Sequence, residues 1–193
     1  MRNLIQLILT LIKSRRVPEP SDLSTAPKTD KAAAIWHVPT SEKHFVTPSQ
    51  PYLQEDWTLY ERFGLHTGVD YGGLRQPGLP IFACADGEIV YSAPVSSPWG
   101  VFLGNHLALY VPSEDKSFLY CHLAEQSEVS GSVKAGQLIG VMGSTGKSAG
   151  GAIHLHLEGF HGRFDIRLRS FKSREDIKAK TFDADELIRS RLV

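Results

Sequence analysis

The sequence of 193 residues has only two cysteines, no net charge and no long apolar run. Two cysteines are too few for a disulfide scaffold or a cysteine-rich zinc finger. Cys84 and Cys121 lie in separate apolar segments, which favours two buried free thiols over one disulfide. No apolar stretch approaches the ~18 residues of a membrane-spanning helix, so the sequence does not predict an integral membrane protein. The 41% hydrophobic content excludes a wholly disordered chain.

The balanced total charge hides an uneven distribution. Residues 51–162 carry eleven acidic and five basic residues, whereas residues 163–193 carry six acidic and nine basic ones. Residues 1–50 also have a basic excess, with seven basic against four acidic residues. An acidic centre argues against nucleic acid as a partner, because phosphate contacts need clustered Lys and Arg. It suits a cation instead.

The first 35 residues are predicted to precede the main domain. Residues 1–16 predict an amphipathic helix, with seven Leu and Ile on a broad face and polar residues on a narrow stripe. Basic residues follow it, where a signal peptide would have a small-residue cleavage site. Such a helix suits peripheral contact with a membrane surface, packing on the chain's own core, or an uncleaved export signal. Residues 17–35 contain three prolines and predict a linker.

Beyond the linker the pattern becomes β. Residues 79–93 predict two strands joined by a tight hairpin at Asp86-Gly87, and further strands are predicted at 101–111, 117–124 and 152–160. Within 133–143, a turn at Ala135-Gly136 is predicted to precede a short apolar strand. Strands at this spacing without intervening helices indicate an antiparallel, mainly β domain, which we assign to residues 36–162. Residues 163–193 are predicted to be an extension that contains a helix near its end, because Ala184, Leu187 and Ile188 fall at helical spacing.

Two histidine patterns are candidates for a metal site. They are His66-Thr-Gly-Val-Asp70 and His154-Leu-His156. In an extended strand, residues two apart share a face, so His154 and His156 point the same way while the neighbouring leucines face a core. Asp70 is an even number of residues from His66, so both converge if that segment is extended. Two histidines and an aspartate with an open fourth position are the composition of a catalytic zinc site.

Each of these residues also has an ordinary interpretation. The two histidines of the pair could be exposed strand residues, and Asp70 could cap a turn before the glycine that follows. His122 alone is more typical of a half-buried histidine than of a catalyst. Glu158, two residues beyond His156, is expected to be a solvated charge at a strand end.

Six segments stand out in order along the chain. They are RFGLHTGVDYG at 62–72, ADGEIV at 85–90, GNHLALY at 104–110, LYCHL at 119–123, VKAGQLIGVMGSTGKSAG at 133–150 and HLHLE at 154–158. Together they resemble the LytM/lysostaphin-type zinc endopeptidases, in which such segments occur in the same order. The resemblance covers roughly residues 60–160 and does not extend to the flanks. It implies a lysostaphin-like fold of the duplicated hybrid motif type, an antiparallel β-sheet groove, here with N- and C-terminal helical extensions.

The resemblance also implies roles for five positions. His66, Asp70 and His156 match the three ligands of a single catalytic Zn²⁺, and His122 and His154 match the two catalytic histidines beside the open metal position. Zinc acidifies water, one imidazole can accept and return a proton, and the other can bind the developing oxyanion. Which of the two histidines is the general base stays open.

These expectations combine into a zinc-dependent endopeptidase that hydrolyses peptide bonds of bacterial cell-wall peptidoglycan. The resemblance implies the substrate, and with it a location in the cell envelope, either periplasmic or extracellular. The alternative is a non-catalytic module that binds zinc or peptidoglycan and regulates other wall hydrolases. Family members of that kind typically lack one or more ligands, whereas this chain retains all five residues. A third interpretation, a lipoyl-like carrier domain, leaves His66, Asp70 and His156 unexplained.

Overall fold

A computed structural model describes residues 34–45, 47–60, 63–72 and 78–192, all of which belong to the unit Lys31–Val193. The predicted helix at 1–16 and residues 17–33 of the predicted linker lie outside the described residues.

The described residues form nine strands arranged in two antiparallel sheets. The larger sheet has seven strands in the order β1-β8-β5-β4-β3-β6, with β9 also paired to β8, and the smaller sheet pairs β2 with β7. The predicted mainly antiparallel β fold is therefore confirmed. The strands are β1 Val69–Gly72, β2 Pro80–Phe82, β3 Gly87–Ala93, β4 Asn105–Val111, β5 Lys116–Leu123, β6 Gly131–Val133, β7 Leu138–Val141, β8 His154–His161 and β9 Thr181–Phe182.

The helices in the described part of the chain are short. They are α1 Gly100–Leu103, α2 Arg174–Lys180 and α3 Ala184–Arg191, with 3-10 turns at Glu42–His44, Lys147–Ala149 and Ile166–Arg169. The predicted C-terminal helix corresponds to α3. Its N-cap is Asp183, whose carboxylate accepts hydrogen bonds from the backbone N–H groups of Asp185 and Glu186. Among the described helices, none is both long enough and apolar enough to cross a membrane.

Apolar side chains cover both faces of the larger sheet. On one face, Leu155 and Leu157 of β8 pack in a core that includes the β2–β7 pair and Ile188 of α3. On the other face, Phe160 of β8 packs with residues 164–177, including Ile177 of α2. Cys84 and Cys121 are buried free thiols, as predicted, one in each core. The sheet is therefore a middle layer, and the segment after residue 162 covers part of its second face.

The hairpin predicted at Asp86-Gly87 is wrong. β2 pairs with β7, and β3 pairs with β4 and β6, so these consecutive strands belong to different sheets. The Asp86 carboxylate accepts hydrogen bonds from the Ala135 backbone and the Lys134 ammonium of a different turn. A Cβ on Gly87 would lie 2.3 Å from the Tyr110 carbonyl oxygen. The glycine therefore permits a close strand approach here, and the strand predicted at 101–111 likewise begins only at Asn105, after α1.

Charge complementarity joins the basic extension to the acidic centre. Four arginines of residues 163–193 pair with four glutamates that precede residue 163, and three of these pairs are at least partly exposed, which limits what each contributes to stability. In the fourth pair the glutamate is fully buried and the arginine is only slightly exposed. The pairs are Arg163–Glu88, Arg174–Glu55, Arg191–Glu114 and, as the fourth, Arg169–Glu158.

Candidate active site

Strands β1 and β8 bring the two histidine patterns together. Asp70 lies opposite His156 in the antiparallel register, and His66 lies in the segment that leads into β1. Asp70 Oδ1 is 2.8 Å from His156 Nδ1 and 3.2 Å from His66 Nε2, and the two nitrogens are 3.0 Å apart. His66, Asp70 and His156 are all buried. Three potential metal-donor atoms therefore converge on one point.

Hydrogen bonds on the far side of each imidazole determine which nitrogen faces this point. His66 Nδ1–H donates to the Pro51 carbonyl at 3.0 Å, and His156 Nε2–H donates to the Glu158 carboxylate at 2.9 Å. The converging nitrogens are then the ones with lone pairs, which is the tautomer a metal ligand needs. Two lone pairs and a carboxylate oxygen this close repel one another unless a cation or proton lies among them. The donor set therefore fits a Zn²⁺ ion.

The charges around His156 are strongly coupled. Burial disfavours its imidazolium, but hydrogen bonds to Asp70 and Glu158 outweigh burial and raise the pKa of His156 to about 9. Burial likewise opposes ionisation of Asp70, yet, when a proton rather than a metal ion lies among the three donors, hydrogen bonds from His156 and His66 hold the pKa of Asp70 far below its ordinary value. Both effects have the sign expected of a site that attracts a positive charge.

His122 and His154 lie beside the three converging donors. Their ring centroids are 4.8 Å apart, and His154 Nε2 is 3.7 Å from Asp70 Oδ2. Each Nδ1–H donates to a backbone carbonyl, of Thr145 at 2.8 Å and of Ala152 at 3.0 Å respectively, which leaves Nε2 unprotonated. Burial, followed by the neighbouring histidines, lowers the pKa of His122 to about 3, and burial also lowers the pKa of His154.

A bulge near the end of β5 orients His122. Between the partners Asn105–Leu123 and Leu107–Tyr120 the register shifts, so Cys121 and His122 together oppose the single residue His106 of β4. His122 itself has a φ of +61°, in the left-handed region that non-glycine residues rarely adopt. Bulges redirect side chains next to active sites, and this one brings His122 to the face that carries His154.

The expectation for Glu158 is wrong. Its side chain is fully buried and accepts hydrogen bonds from His156, Thr67 and Arg169. The sequence feature that indicates its position is the even spacing from His154 and His156, which puts all three residues on the same face of β8. Arg169 had no comparable sequence signal, because its contact with Glu158 depends on how residues 163–171 fold back over the sheet.

Tyr60 is a further residue of the site that the sequence did not indicate. Its ring stacks on the His66 ring, with centroids 5.0 Å apart and planes inclined by 20°. Its hydroxyl donates to the Gln50 side chain, and Gln50 pairs with Asp70 through an isolated bridge. Tyr60 therefore covers one side of a candidate ligand.

Residues 64–165 match the family profile described as Peptidase family M23. The chain belongs to peptidase family M23. All five residues assigned from the resemblance, and Glu158 with them, lie within the matched segment, whereas Arg169 lies beyond it. The resemblance to the LytM/lysostaphin-type enzymes is thereby confirmed.

Curated relatives of this M23 chain match it over about half of its length. It is 33% identical over 110 residues to the DD-carboxypeptidase/endopeptidase Mpg of Neisseria meningitidis. The aligned residues make up 57% of this chain and 23% of that protein. It is 38% identical over 96 residues to lysostaphin of Staphylococcus simulans, 49% of this chain and 18% of that protein. It is 37% identical over 94 residues to the lipoprotein NlpD of Yersinia enterocolitica, 46% of this chain and 82% of that protein.

Solved structures share the fold of this M23 chain. The catalytic domain of the antimicrobial peptidase lysostaphin from Staphylococcus simulans aligns with a TM-score of 0.56 and 25% identity, covering 78% of this chain and 98% of that domain. A zinc-containing peptidase from Vibrio cholerae aligns with a TM-score of 0.54 and 22% identity, covering 66% of this chain and 36% of that one. The lysostaphin-like fold class is confirmed.

Proposed function

We propose that this protein is a zinc-dependent endopeptidase that hydrolyses peptide bonds in bacterial cell-wall peptidoglycan. The observation that carries the proposal is the convergence of His66 Nε2, Asp70 Oδ1 and His156 Nδ1 within 3.2 Å of one another. These three residues would hold the zinc ion, as the family resemblance implies. When bound, zinc supplies Lewis acidity, which polarises a carbonyl group and acidifies water.

His122 and His154 supply the proton chemistry in this proposal. The backbone carbonyls of Thr145 and Ala152 hold each Nδ1–H, so each Nε2 has a lone pair that can accept a proton from attacking water. The same nitrogen then returns that proton to the leaving amine. To donate to the oxygen that becomes negative in the transition state, the other imidazole must carry a proton on Nε2 as well as on Nδ1, so this role requires its imidazolium form. The equivalent geometry of the two rings leaves both assignments open.

Family membership supports the proposed substrate class. The matched relatives are named a DD-carboxypeptidase/endopeptidase and the antimicrobial peptidase lysostaphin. We therefore propose the peptide part of peptidoglycan as substrate and the cell envelope as the place of action. An acidic centre has no basic cluster for a nucleic acid backbone, which is consistent with a peptide substrate.

Incubation of the full chain with purified peptidoglycan, followed by mass spectrometry of the soluble fragments, tests this function. We expect zinc-dependent release of peptides with new amino and carboxyl termini. Release should stop with a chelator and resume when zinc is added back. Binding to peptidoglycan without any new termini would contradict the enzyme proposal and favour the alternative, a module that regulates other wall hydrolases.

Residues 1–16 lead to a separate proposal of peripheral membrane contact. On the helix that the sequence predicts there, the seven Leu and Ile would form an apolar face, and Lys13, Arg15 and Arg16 would attract anionic lipid. Co-sedimentation with anionic phospholipid vesicles should retain the full chain but not a shortened chain that begins at Lys31. Equal, negligible binding of both proteins would contradict the proposal.

A further inference from the structure

The buried carboxylate of Glu158 fixes the orientation of His156. Its Oε1 atom accepts hydrogen bonds from His156 Nε2 at 2.9 Å, from the Thr67 hydroxyl and from the Arg169 guanidinium. Because the acceptor holds a proton on His156 Nε2, the lone pair of that ring stays on Nδ1, next to Asp70 and His66. The position and charge of Glu158 therefore matter for the candidate metal ligand.

A carboxylate without solvent exposure needs compensating positive charge. Burying an unpaired charge is strongly unfavourable, and a carboxylic acid in such surroundings takes up a proton instead. The side chain of Glu158 is 0% exposed, and that of Arg169 only 14%. The Arg169 guanidinium and the His156 imidazole both contact its Oε1 atom. Arg169 is the permanently charged partner of the two.

Arg169 is itself held in place from two sides. Its guanidinium lies over the rings of Trp99 and Phe171, with the guanidinium carbon 5.8 and 6.0 Å from their centroids. Arg169 is the last residue of the 3-10 turn Ile166–Arg169. The Asp165 carboxylate caps this turn by accepting a hydrogen bond from the Arg167 backbone N–H. This turn follows the segment matched by the M23 profile, which stops at residue 165.

We propose that Arg169 is a positioning residue for the metal site, acting on His156 through Glu158. The basic extension therefore does more than cover the sheet: its Arg169 guanidinium holds the Glu158 carboxylate in place as the acceptor for His156 Nε2–H. This proposal depends on His66, Asp70 and His156 being the zinc ligands.

Zinc affinity, measured by competition with a chromophoric chelator, tests the proposal without reference to activity. We expect Arg169→Gln to weaken zinc binding by ~10- to 100-fold, the usual cost of losing an outer partner of a metal ligand. Arg167→Gln is the matched control, because Arg167 belongs to the same turn but pairs with the exposed Asp165 at 2.5 Å. Arg169→Lys, which keeps the charge but not the planar fork, should recover part of the lost affinity.

A double-mutant comparison identifies Glu158 as the intermediary. In a Glu158→Gln background there is no buried carboxylate to compensate, so adding Arg169→Gln should change zinc affinity by less than about twofold. This pair also replaces the single variant if Arg169→Gln does not fold, because the double variant buries no unpaired charge. Thermal unfolding of the zinc-free proteins identifies any variant that fails to fold.

The outcomes separate this inference from the proposed function. An unchanged protein that binds no zinc would overturn the metal site itself. If the unchanged protein binds zinc, two results would overturn the positioning role alone. One is an unchanged zinc affinity in Arg169→Gln, and the other is a further tenfold loss of zinc affinity when Arg169→Gln is added to Glu158→Gln.

Discussion

Asp70 on β1 and His156 on β8 are direct partners across an antiparallel strand pair, and Asp70 Oδ1 lies 2.8 Å from His156 Nδ1. Eighty-six residues separate them in sequence. The backbone register therefore aligns the two side chains of the candidate metal site. The His122–His154 pair extends the same face toward β5.

Replacing a proposed ligand should remove the metal. His156→Ala deletes one of three donors, so we expect purified protein to contain less than about a tenth of the zinc of the unchanged chain by elemental analysis. His161→Ala is the control, because His161 lies on the same strand but is exposed. Full zinc content in His156→Ala would show that this residue is not a ligand.

The other two histidines should affect catalysis and not metal content. His122→Ala and His154→Ala each remove an acid–base or oxyanion group, which typically costs ~100-fold or more in turnover. Their zinc content should stay at the level of the unchanged protein. The measurement is the rate of peptidoglycan fragment release at equal zinc loading. Undiminished release by His122→Ala would refute its catalytic role.

Gly68 should tolerate no side chain. A Cβ at this position would lie 2.5 Å from the Leu157 carbonyl oxygen and 3.0 Å from His156 Cε1. Gly68→Ala should therefore separate β8 from the segment that carries His66, lowering the free energy of unfolding by ~1–3 kcal/mol and weakening zinc binding. Urea denaturation and chelator competition measure the two effects.

The matched control for this variant is Gly140→Ala. There the new Cβ would meet only the end of the flexible Leu123 side chain, at 3.2 Å. We expect a smaller loss of stability and unchanged zinc affinity. Equal losses in both variants would mean that the contact with His156 is not what makes Gly68 necessary.

The two cysteines should be unreactive in the folded protein. Burial raises the pKa of Cys84 to about 12 and raises the pKa of Cys121 well above its ordinary value. Since the thiolate is the reactive form, Ellman's reagent at pH 8 should label neither thiol in the native protein and both in urea. Rapid labelling of the native protein would show that one of them is accessible.

The N-cap of α3 should contribute measurably to stability. Asp183→Ala leaves the backbone N–H groups of Asp185 and Glu186 without their side-chain acceptor, which typically costs ~1 kcal/mol of unfolding free energy. The loss should appear in the global urea transition, because Ala184 and Ile188 of this helix lie in the main core. Ser190→Ala, on the exposed end of the helix, is the control and should change stability by less than about 0.5 kcal/mol.

Local patterns in the sequence sufficed for part of the site. Alternation along β8 puts His154 and His156 on one face and the intervening leucines in a core, because strand geometry has a period of two residues. The same rule implied that Glu158 shares the face of the histidines. Its burial could not be inferred, because that depends on what covers the face.

Partner choice between strands required the tertiary structure. The Asp86-Gly87 pair is a strong hairpin signal over four residues, but it carries no information on long-range pairing. β7 is the partner of β2, so the chain passes from one sheet to the other at this point. The left-handed backbone of His122 arises in the same way, from a register shift against β4 that no local pattern encodes.

The sequence by itself determined the strand periodicity, the candidate donor residues and the opposite charges of the centre and the extension, because each of these is a property of neighbouring residues or of composition. The tertiary structure alone decided that Asp70 faces His156 and that Arg169 reaches Glu158. Those contacts join residues 86 and 11 positions apart, respectively, through a register or a chain reversal. Such contacts depend on the packing of the whole sheet, which no short stretch of sequence specifies.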